Sequence, residues 1–300
     1  MTHTEGADLQ EYLAAQVQAV DRVLDRWVPA EEVEPPSIHR AMRYSLFAGG
    51  KRIRPILAIA AARTVSDSAD SIEHAAATLE LIHTYSLIHD DLPALDNDDL
   101  RRGRPTCHKV FGTAMAILAG DALLTLAFEV LSRLDAIDAG RKIRLVEELS
   151  CAAGTVGGMI GGQVNDIEGE GKQPTALLLE SIHRAKTGAL LRASVRMGAI
   201  YAGASAEGLA ALSEYGEHVG LAFQIVDDVL DVEQSSEALG KTAGKDQAQQ
   251  KITFPAVYGI KRSREMAEQE RLAAHSALRP FEDHADRLRQ IADFIVLRKT

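Results

Sequence analysis

The sequence predicts an all-α protein with one domain over residues 1–300, and three observations lead to this fold class. Residues that favour helices, such as Ala, Leu, Glu, Arg and Gln, are frequent, whereas only nine prolines interrupt the 300 residues. Apolar residues recur with the period of a helix, and no alternating run of β-branched residues between turns favours a strand. No low-complexity linker or shift in composition divides the chain.

The periodicity of apolar residues predicts ten helices in succession. The second begins after Pro35-Pro36-Ser37, and Pro55 suits the first turn of the third. The fifth is the most apolar, but Asp121 and Glu129 interrupt it, so it is interpreted as a core helix rather than a membrane span. The predicted helices lie near residues 9–28, 37–48, 55–65, 70–92, 112–134, 140–157, 174–203, 206–233, 253–278 and 280–297.

Three segments rich in glycine and charge separate these helices, at residues 49–54, 93–112 and 234–252. They are predicted loops. Loops held by a rigid scaffold carry a large share of binding and catalytic residues. The chemistry is therefore expected at or beside these three segments.

Overall charge and cysteine content narrow the class of protein. The formal net charge of −10 disfavours a nucleic acid or an anionic membrane as partner. The two cysteines, Cys107 and Cys151, fit neither a disulfide framework nor a zinc site, which favours a reducing cytoplasm. The first ten residues, MTHTEGADLQ, lack the apolar segment of a signal peptide. A cytoplasmic location is therefore expected.

A first cluster of aspartates, Asp90-Asp91-Leu-Pro-Ala-Leu-Asp96, stands at the end of the fourth predicted helix. In a regular helix, the directions of Asp90 and Asp96 would differ by about 240°. Pro93 removes this difficulty, because a helix usually ends before a proline. We therefore expect a turn to carry Asp96 back toward Asp90.

A second cluster, Asp227-Asp228-Val-Leu-Asp231, lies within a predicted helix, where residues four apart share a face. Carboxylates so close repel each other unless cations or protons intervene. Oxygen ligands select hard ions, and Mg²⁺ takes one or two carboxylates together with substrate phosphates. For either cluster alone, an acidic helix end exposed to water is the alternative. An EF-hand is disfavoured, because residues 90–101 lack the central Gly and the terminal Glu.

Short cationic segments accompany the acidic ones. Each alone could be an ordinary solvated loop. Together they favour a diphosphate site, because about three Mg²⁺ ions would neutralise six carboxylates and leave the diphosphate charge to Lys and Arg. The segments are Gly49–Pro55, Arg101–Pro105, Lys186–Gly188 and Gly240–Asp246.

These residues make the chain resemble the short-chain trans-polyprenyl diphosphate synthases, most closely a bacterial farnesyl diphosphate synthase. Two positions depart from the family's usual pattern: Thr113 stands where Glu is frequent, and Ile252 where a small hydroxyl residue is usual. Neither belongs to an aspartate cluster. The matching segments are GGKRIRP (49–55), LIHDDLPALDNDDLRRGRPTCHKVFG (87–112), GGQVNDI (161–167), KTG (186–188), FQIVDDVLDV (223–232) and GKTAGKD (240–246).

The resemblance implies an isoprenoid synthase-type bundle of antiparallel helices around a central cavity, and usually a homodimer. It implies condensation of isopentenyl diphosphate with dimethylallyl or geranyl diphosphate to (2E,6E)-farnesyl diphosphate. The steps would be Mg²⁺-assisted ionisation, condensation and loss of a proton, in a cavity that excludes water. No nucleic acid partner and no stable membrane insertion are expected.

The resemblance also implies roles for single residues. About three Mg²⁺ ions would be bound by Asp90, Asp91, Asp96, Asp227, Asp228 and Asp231. The allylic diphosphate would be held by Arg101, Lys186, Thr187, Gln224 and Lys241, which form the catalytic group together with Asp90, Asp96 and Asp227. Isopentenyl diphosphate would be held by Lys51, Arg54, His83 and Arg102, while Gln163 and Asp166 organise the site.

Two of these assignments compete with a purely structural interpretation. A lone helical histidine is often structural, but His83 precedes Asp90 by seven residues and lies about 20° off the same face. Tyr85, about 7.5 Å along the axis from Asp90, is the bulky aromatic that in the family goes with a fifteen-carbon product. With Ile82 and Ser86 it would form the floor that limits chain length; the alternative is a plain core residue.

Four other functions are alternatives to a farnesyl diphosphate synthase. A geranylgeranyl or longer-chain synthase would use the same chemistry. A terpene cyclase would not need Lys51, Arg54 and Arg102. A non-catalytic synthase subunit would be expected to lose aspartates from one cluster, and both are intact. A generic helical structural protein would lack the paired cationic segments.

Overall fold

A computed structural model describes residues 3–169, 171, 175–237 and 252–298. Within these ranges all regular secondary structure is helical except for one short hairpin, so the prediction of an all-α fold is confirmed. The hairpin pairs β1 (Leu100–Arg101) with β2 (Arg104–Pro105). The helices are α1 (His3–Trp27), α2 (Pro36–Leu46), α3 (Ile53–Val65), α4 (Ile72–Asp90), α5 (Cys107–Phe111), α6 (Thr113–Ser132), α7 (Ala139–Ala153), α8 (Met159–Gly169), α9 (Ala176–His183), α10 (Ala189–Ala202), α11 (Ala206–Glu237), α12 (Phe254–Tyr258), α13 (Ile260–Ala277) and α14 (Asp286–Leu297).

The chain forms two compact units, one of residues 1–59 and 69–146, the other of residues 60–68 and 147–300. The prediction of a single domain and that of a central cavity both stay predictions.

Helix α4 is the centre of the first unit and packs against α1, α2 and α6. Its buried residues lie all around its axis rather than on one stripe, which is typical of an interior helix. The helix ends at Asp90, three residues before Pro93, as its sequence predicts. The first aspartate cluster is therefore fixed at the end of an interior helix of this unit.

Helix α6 is long and apolar enough to cross a membrane by length and composition alone, and 44% of its apolar window is buried. A buried core helix meets the same criteria. Gly120 allows α6 to approach α4 closely, because a Cβ there would lie 2.2 Å from Nε2 of His89. The side chains of Ile117 and Leu118 remain exposed.

In the second unit, the long helix α11 packs against α10, α13 and α14. Four predictions of helix extent were wrong here. The predicted helix 280–297 begins as a 3-10 helix at Arg279–Ala285, and the α-helix starts only at Asp286. The helix α8 was not predicted, because its two consecutive glycines weaken the helical pattern. The predicted helix 174–203 contains a π-helical turn at Arg184–Gly188. The predicted helix 253–278 is broken at Gly259, whose φ of 77° no helix accommodates.

The glycines of α8 have a packing reason. A Cβ on Gly162 would lie 2.1 Å from the backbone nitrogen of Lys186. Only glycine therefore lets α8 lie directly on the π-helical turn that carries Lys186 and Thr187. The loop 93–112 also holds more structure than predicted, because the hairpin and α5 both form within it.

Candidate active site

The first aspartate cluster has the expected turn. The backbone nitrogen of Asp96 donates to the carbonyl oxygen of Asp90 at 2.8 Å, and that of Asp98 to the carbonyl oxygen of Asp91 at 3.2 Å. The turn thus brings the backbone of Asp96 back to the end of α4, as Pro93 led us to expect.

Asp91 is buried, with 3% of its surface exposed, whereas Asp90 and Asp96 are only partly buried. Nε of Arg101 donates to both carboxylate oxygens at 2.9 and 3.0 Å, and Nη2 donates to one of them at 2.7 Å. Burial opposes the charge on Arg101, but Asp91, and then Asp90 and Asp96, raise its pKa above the ordinary value. Arg101 therefore lies among the three carboxylates, and its partner in this structure is Asp91. Metal binding by Asp91 stays a prediction.

Four arginine side chains lie close enough to His83 to affect its charge. Burial, followed by the positive charge of the nearby arginines, lowers its pKa well below the ordinary value; these are Arg54, Arg102, Arg101 and Arg52. His83 is accordingly neutral, so it can donate one hydrogen bond to an anion without losing a proton. Such a cluster suits a diphosphate. The structure thus brings together three of the four residues predicted for isopentenyl diphosphate.

The loop of residues 49–54 approaches Arg102 closely. A Cβ on Gly50 would lie 2.8 Å from Nη1 of Arg102, so the guanidinium rests on the glycine backbone. Gly50 also has a φ of 143°, which L side chains rarely adopt. The exposed Lys51 follows directly, so the fourth predicted residue lies on the same loop.

Arg52, which the sequence did not single out, anchors this loop. It is 3% exposed and joins three helices. Its Nε donates to Asp21 of α1 at 2.9 Å, its Nη1 to Glu80 of α4 at 2.8 Å, and its Nη2 to the carbonyl oxygen of Leu46 of α2 at 2.7 Å. Arg52 thereby fixes the positions of Lys51 and Arg54 on either side.

We expect Arg52→Met to lower the free energy of unfolding by about 3–5 kcal/mol, because it leaves the buried carboxylate of Glu80 without its cation. Urea unfolding measures this. The double variant Arg52→Met/Glu80→Leu should recover most of the loss. A matched control is Arg133→Ala, which breaks the exposed pair with Glu129 and should cost less than about 1 kcal/mol. An unchanged urea midpoint for Arg52→Met would contradict the anchoring role.

The predicted chain-length residues lie along α4. Ile82 is fully buried and Tyr85 is 5% exposed, while the hydroxyl of Ser86 donates to the carbonyl oxygen of His83 at 2.9 Å. Among the described residues, the hydroxyl of Tyr85 has no hydrogen-bond partner. Burial, and then the charge of Asp90, raise its pKa to about 12. The ring of Tyr85 therefore lies in an apolar environment close to Asp90.

In the second unit, Asp227 and Asp231 lie one turn apart on α11. Asp227 forms an ion pair with Arg298, whose guanidinium carbon lies 4.3 Å from the ring centroid of Phe223. Asp231 is exposed. Arg298 was not predicted, because its partner lies 71 residues away in the sequence.

Asp228 is turned inward, with 9% of its surface exposed. One carboxylate oxygen accepts a hydrogen bond from the backbone nitrogen of Phe254 at 2.8 Å and lies 3.4 Å from Nε2 of His183. The second aspartate of each cluster is thus buried and has a partner within the protein. Metal binding by Asp228 stays a prediction, as it does for Asp91.

The π-helical turn presents Lys186 and Thr187. Nζ of Lys186 lies 2.6 Å from Oδ2 of Asp166 on α8, so Asp166 fixes the ammonium group as the predicted organising residue. Gln163 lies on the same helix. Gln224 donates from its side-chain nitrogen to Nδ1 of His183 at 2.9 Å. Lys241 and the segment 240–246 lie outside the described residues.

The carboxylates present suit a hard divalent cation, although the described residues include no group of three or more His, Cys, Asp or Glu side chains that could hold a metal. Mg²⁺ keeps several waters and usually takes only one or two carboxylates plus substrate phosphates. Asp90 with Asp96, and Asp227 with Asp231, would supply sets of this size. The donors therefore fit Mg²⁺ that binds together with a diphosphate.

Comparisons with known proteins give one consistent result. The polyprenyl synthetase family matches residues 35–294. The farnesyl diphosphate synthase of Geobacillus stearothermophilus is 49% identical over 260 residues, which are 86% of each chain. The chloroplastic heterodimeric geranylgeranyl pyrophosphate synthase large subunit 1 of Arabidopsis thaliana is 47% identical over 299 residues, covering 97% of this chain and 80% of that one. The apo crystal structure of an FPP/GFPP synthase from Zymomonas mobilis matches with a TM-score of 0.86 at 35% identity, covering 97% and 99% of the two chains.

Proposed function

The chain belongs to the polyprenyl synthetase family of short-chain prenyltransferases, and on that basis we propose that it is a magnesium-dependent farnesyl diphosphate synthase. In this proposal it condenses isopentenyl diphosphate with dimethylallyl diphosphate, and then with geranyl diphosphate, to give (2E,6E)-farnesyl diphosphate. The product is the finer part of the proposal, because relatives named as farnesyl and as geranylgeranyl synthases have similar identities.

One observation carries the proposal. Helix α4 presents a neutral histidine within a group of arginines and, two turns further on, a pair of carboxylates joined by a turn. A group of arginines around a neutral histidine suits the diphosphate that stays intact, while the carboxylates at the end of α4 suit the one that leaves together with metal ions.

The cationic group would hold isopentenyl diphosphate without metal. Arg54 and Arg102 supply guanidinium donors, and His83 supplies one neutral N–H. Lys51 would add a mobile ammonium group from the exposed loop. This binding would hold the isopentenyl double bond in an orientation from which it can attack the allylic carbon.

The allylic diphosphate would be bound by Arg101, Lys186, Thr187, Gln224 and Lys241, together with about three Mg²⁺ ions. When bound, Mg²⁺ would supply electrostatic stabilisation of the charge that develops on the departing oxygen. Asp166 holds the ammonium group of Lys186 in place, where it would stabilise the same developing charge.

In the reaction, the bond between the allylic carbon and the diphosphate oxygen breaks, and the electron pair leaves with the diphosphate. The isopentenyl double bond then forms the new carbon–carbon bond. A proton is lost from the isopentenyl unit to a diphosphate oxygen, which restores a double bond. The apolar side chains of α4 would exclude the water that could quench the cation.

We also propose that the chain acts in the cytoplasm as a homodimer. Ile117 and Leu118 leave an apolar face of α6 exposed, and such faces are typical of protein interfaces. A role as a non-catalytic subunit is the second candidate, because one similar chain is named as part of a heterodimeric synthase. It is disfavoured here because both aspartate clusters are complete.

The test is a product assay with purified protein, isopentenyl diphosphate and dimethylallyl diphosphate, with Mg²⁺ or with excess EDTA. We expect a fifteen-carbon alcohol after dephosphorylation, and no product with EDTA. A twenty-carbon main product would replace the farnesyl assignment with the geranylgeranyl one. Absence of any product with Mg²⁺ would favour the non-catalytic subunit.

A further inference from the structure

His183 is the last residue of α9 and is 8% exposed. No role for this residue follows from the predicted substrate-binding set. We propose that His183 is a positioning residue, which holds the side chain of Gln224 in the orientation that the allylic-diphosphate site requires. The inference rests on the proposed function, because Gln224 is assigned there to the allylic diphosphate.

The first contact sets the orientation of Gln224. Its side-chain nitrogen lies 2.9 Å from Nδ1 of His183. With the amide in this orientation, Nδ1 accepts and the imidazole carries its proton on Nε2. The bond uses one of the two amide N–H groups of Gln224 and fixes the plane of the amide. The second N–H group is then held in one direction, as an anion-binding donor must be.

The second contact concerns Asp228. Nε2 of His183 lies 3.4 Å from Oδ2 of Asp228, and the same oxygen accepts the backbone N–H of Phe254 at 2.8 Å. The imidazole also stacks on the ring of Phe254, with 5.2 Å between ring centroids. His183 therefore joins α9 to α11 and to the start of α12. The backbone N–H of Phe254 bonds the second aspartate of the acidic cluster, and the imidazole lies beside the same oxygen without a hydrogen bond to it.

The polar atoms of His183, and not only its ring, carry this role. A phenylalanine at position 183 could keep the stacking on Phe254. It would leave the amide of Gln224 short of a partner in a partly buried place. Gln224 could then turn toward other partners. The inference thus separates a polar function from simple packing.

The main experiment compares steady-state kinetics of wild type, His183→Phe and His183→Asn. We expect His183→Phe to raise KM for dimethylallyl diphosphate about tenfold, the effect of losing one well-oriented hydrogen bond to a charged group. KM for isopentenyl diphosphate should stay unchanged. Because the side-chain oxygen of asparagine can lie near the position of Nδ1, His183→Asn should recover most of the loss.

A double-mutant cycle with Gln224→Leu tests whether His183 acts through Gln224. If it does, adding His183→Phe to Gln224→Leu should change KM for dimethylallyl diphosphate little further. Additive effects would overturn the inference. A matched control is His218→Phe, which removes a partly buried histidine bonded to Glu270 on α13. It should change stability but neither KM value.

The outcomes separate this inference from the proposed function. If the wild-type protein shows no turnover of the allylic diphosphate, the proposed function fails. If wild type is active and His183→Phe keeps its KM for dimethylallyl diphosphate, only the inference fails. If His183→Phe does not fold, the comparison of His183→Asn with His183→Gln tests the inference. The side-chain amide of glutamine reaches the position of Nε2 rather than that of Nδ1. Asparagine should give the lower KM for dimethylallyl diphosphate, and equal values would overturn the inference.

Discussion

Replacing Asp90 or Asp227 with alanine should lower kcat at least about 10²–10³-fold, the scale of losing one element that stabilises transition-state charge. Each change removes a carboxylate from one of the two acidic clusters. Neither side chain is fully buried, so both variants should stay folded. The measurement is kcat at saturating Mg²⁺, together with circular dichroism and urea unfolding.

Two substitutions close to the aspartate clusters in sequence serve as controls. Asp99→Ala removes an exposed carboxylate that pairs with Lys109 at 2.8 Å, and Glu233→Ala removes one that pairs with Arg264. Both lie close to the clusters in sequence, and both should leave kcat nearly unchanged, because exposed ion pairs contribute little. Near-normal turnover in Asp90→Ala or Asp227→Ala would refute the assignment of that cluster.

Replacing Tyr85 with alanine should shift the products from fifteen carbons toward twenty or more. The ring is almost wholly buried on α4, five residues before Asp90, and if Tyr85 is the floor that limits chain length, its removal would open space for a longer product. Chromatography of the dephosphorylated products measures the shift. The variant should also lose about 3–5 kcal/mol of unfolding free energy, as large-to-small changes of buried aromatic residues do, so the assay belongs at low temperature.

The matched control for this prediction is Tyr85→Phe. It keeps the ring and removes only a hydroxyl that has no hydrogen-bond partner among the described residues. We expect a fifteen-carbon product and no loss of stability, because removing an unsatisfied buried group costs nothing. If Tyr85→Ala left the product distribution unchanged, Tyr85 would be a core residue and the limit on chain length would lie elsewhere.

The parts of the site that depend on nearby residues could be predicted. Pro93 ends a helix because it lacks an N–H and crowds the preceding turn, and this local rule was enough to predict the return of Asp96 to Asp90. The common face of Asp227 and Asp231 follows from the helical period alone. The place of His83 two turns before Asp90 follows from the helical period in the same way, whereas its role came from the resemblance and stays a prediction.

Residues whose role depends on a distant partner could not be predicted. In the sequence, Arg52 is one more charge in GGKRIRP, but the structure shows it buried against Asp21 and Glu80. Asp91 and Asp228 look equivalent to their neighbours in sequence, but each points inward to its own partner. The helix α8 was missed because the benefit of its glycines lies in a contact with Lys186, not in the helix itself.

The sequence by itself determined the helical fold class, because helical period and proline position act over a few residues, and its motifs indicated the family by resemblance. Only the tertiary structure decided which charge meets which partner. Asp227 meets Arg298 across 71 residues, and Gln224 meets His183 across 41. Such contacts depend on how whole helices pack, and packing is set by the shapes of many side chains at once rather than by any local pattern.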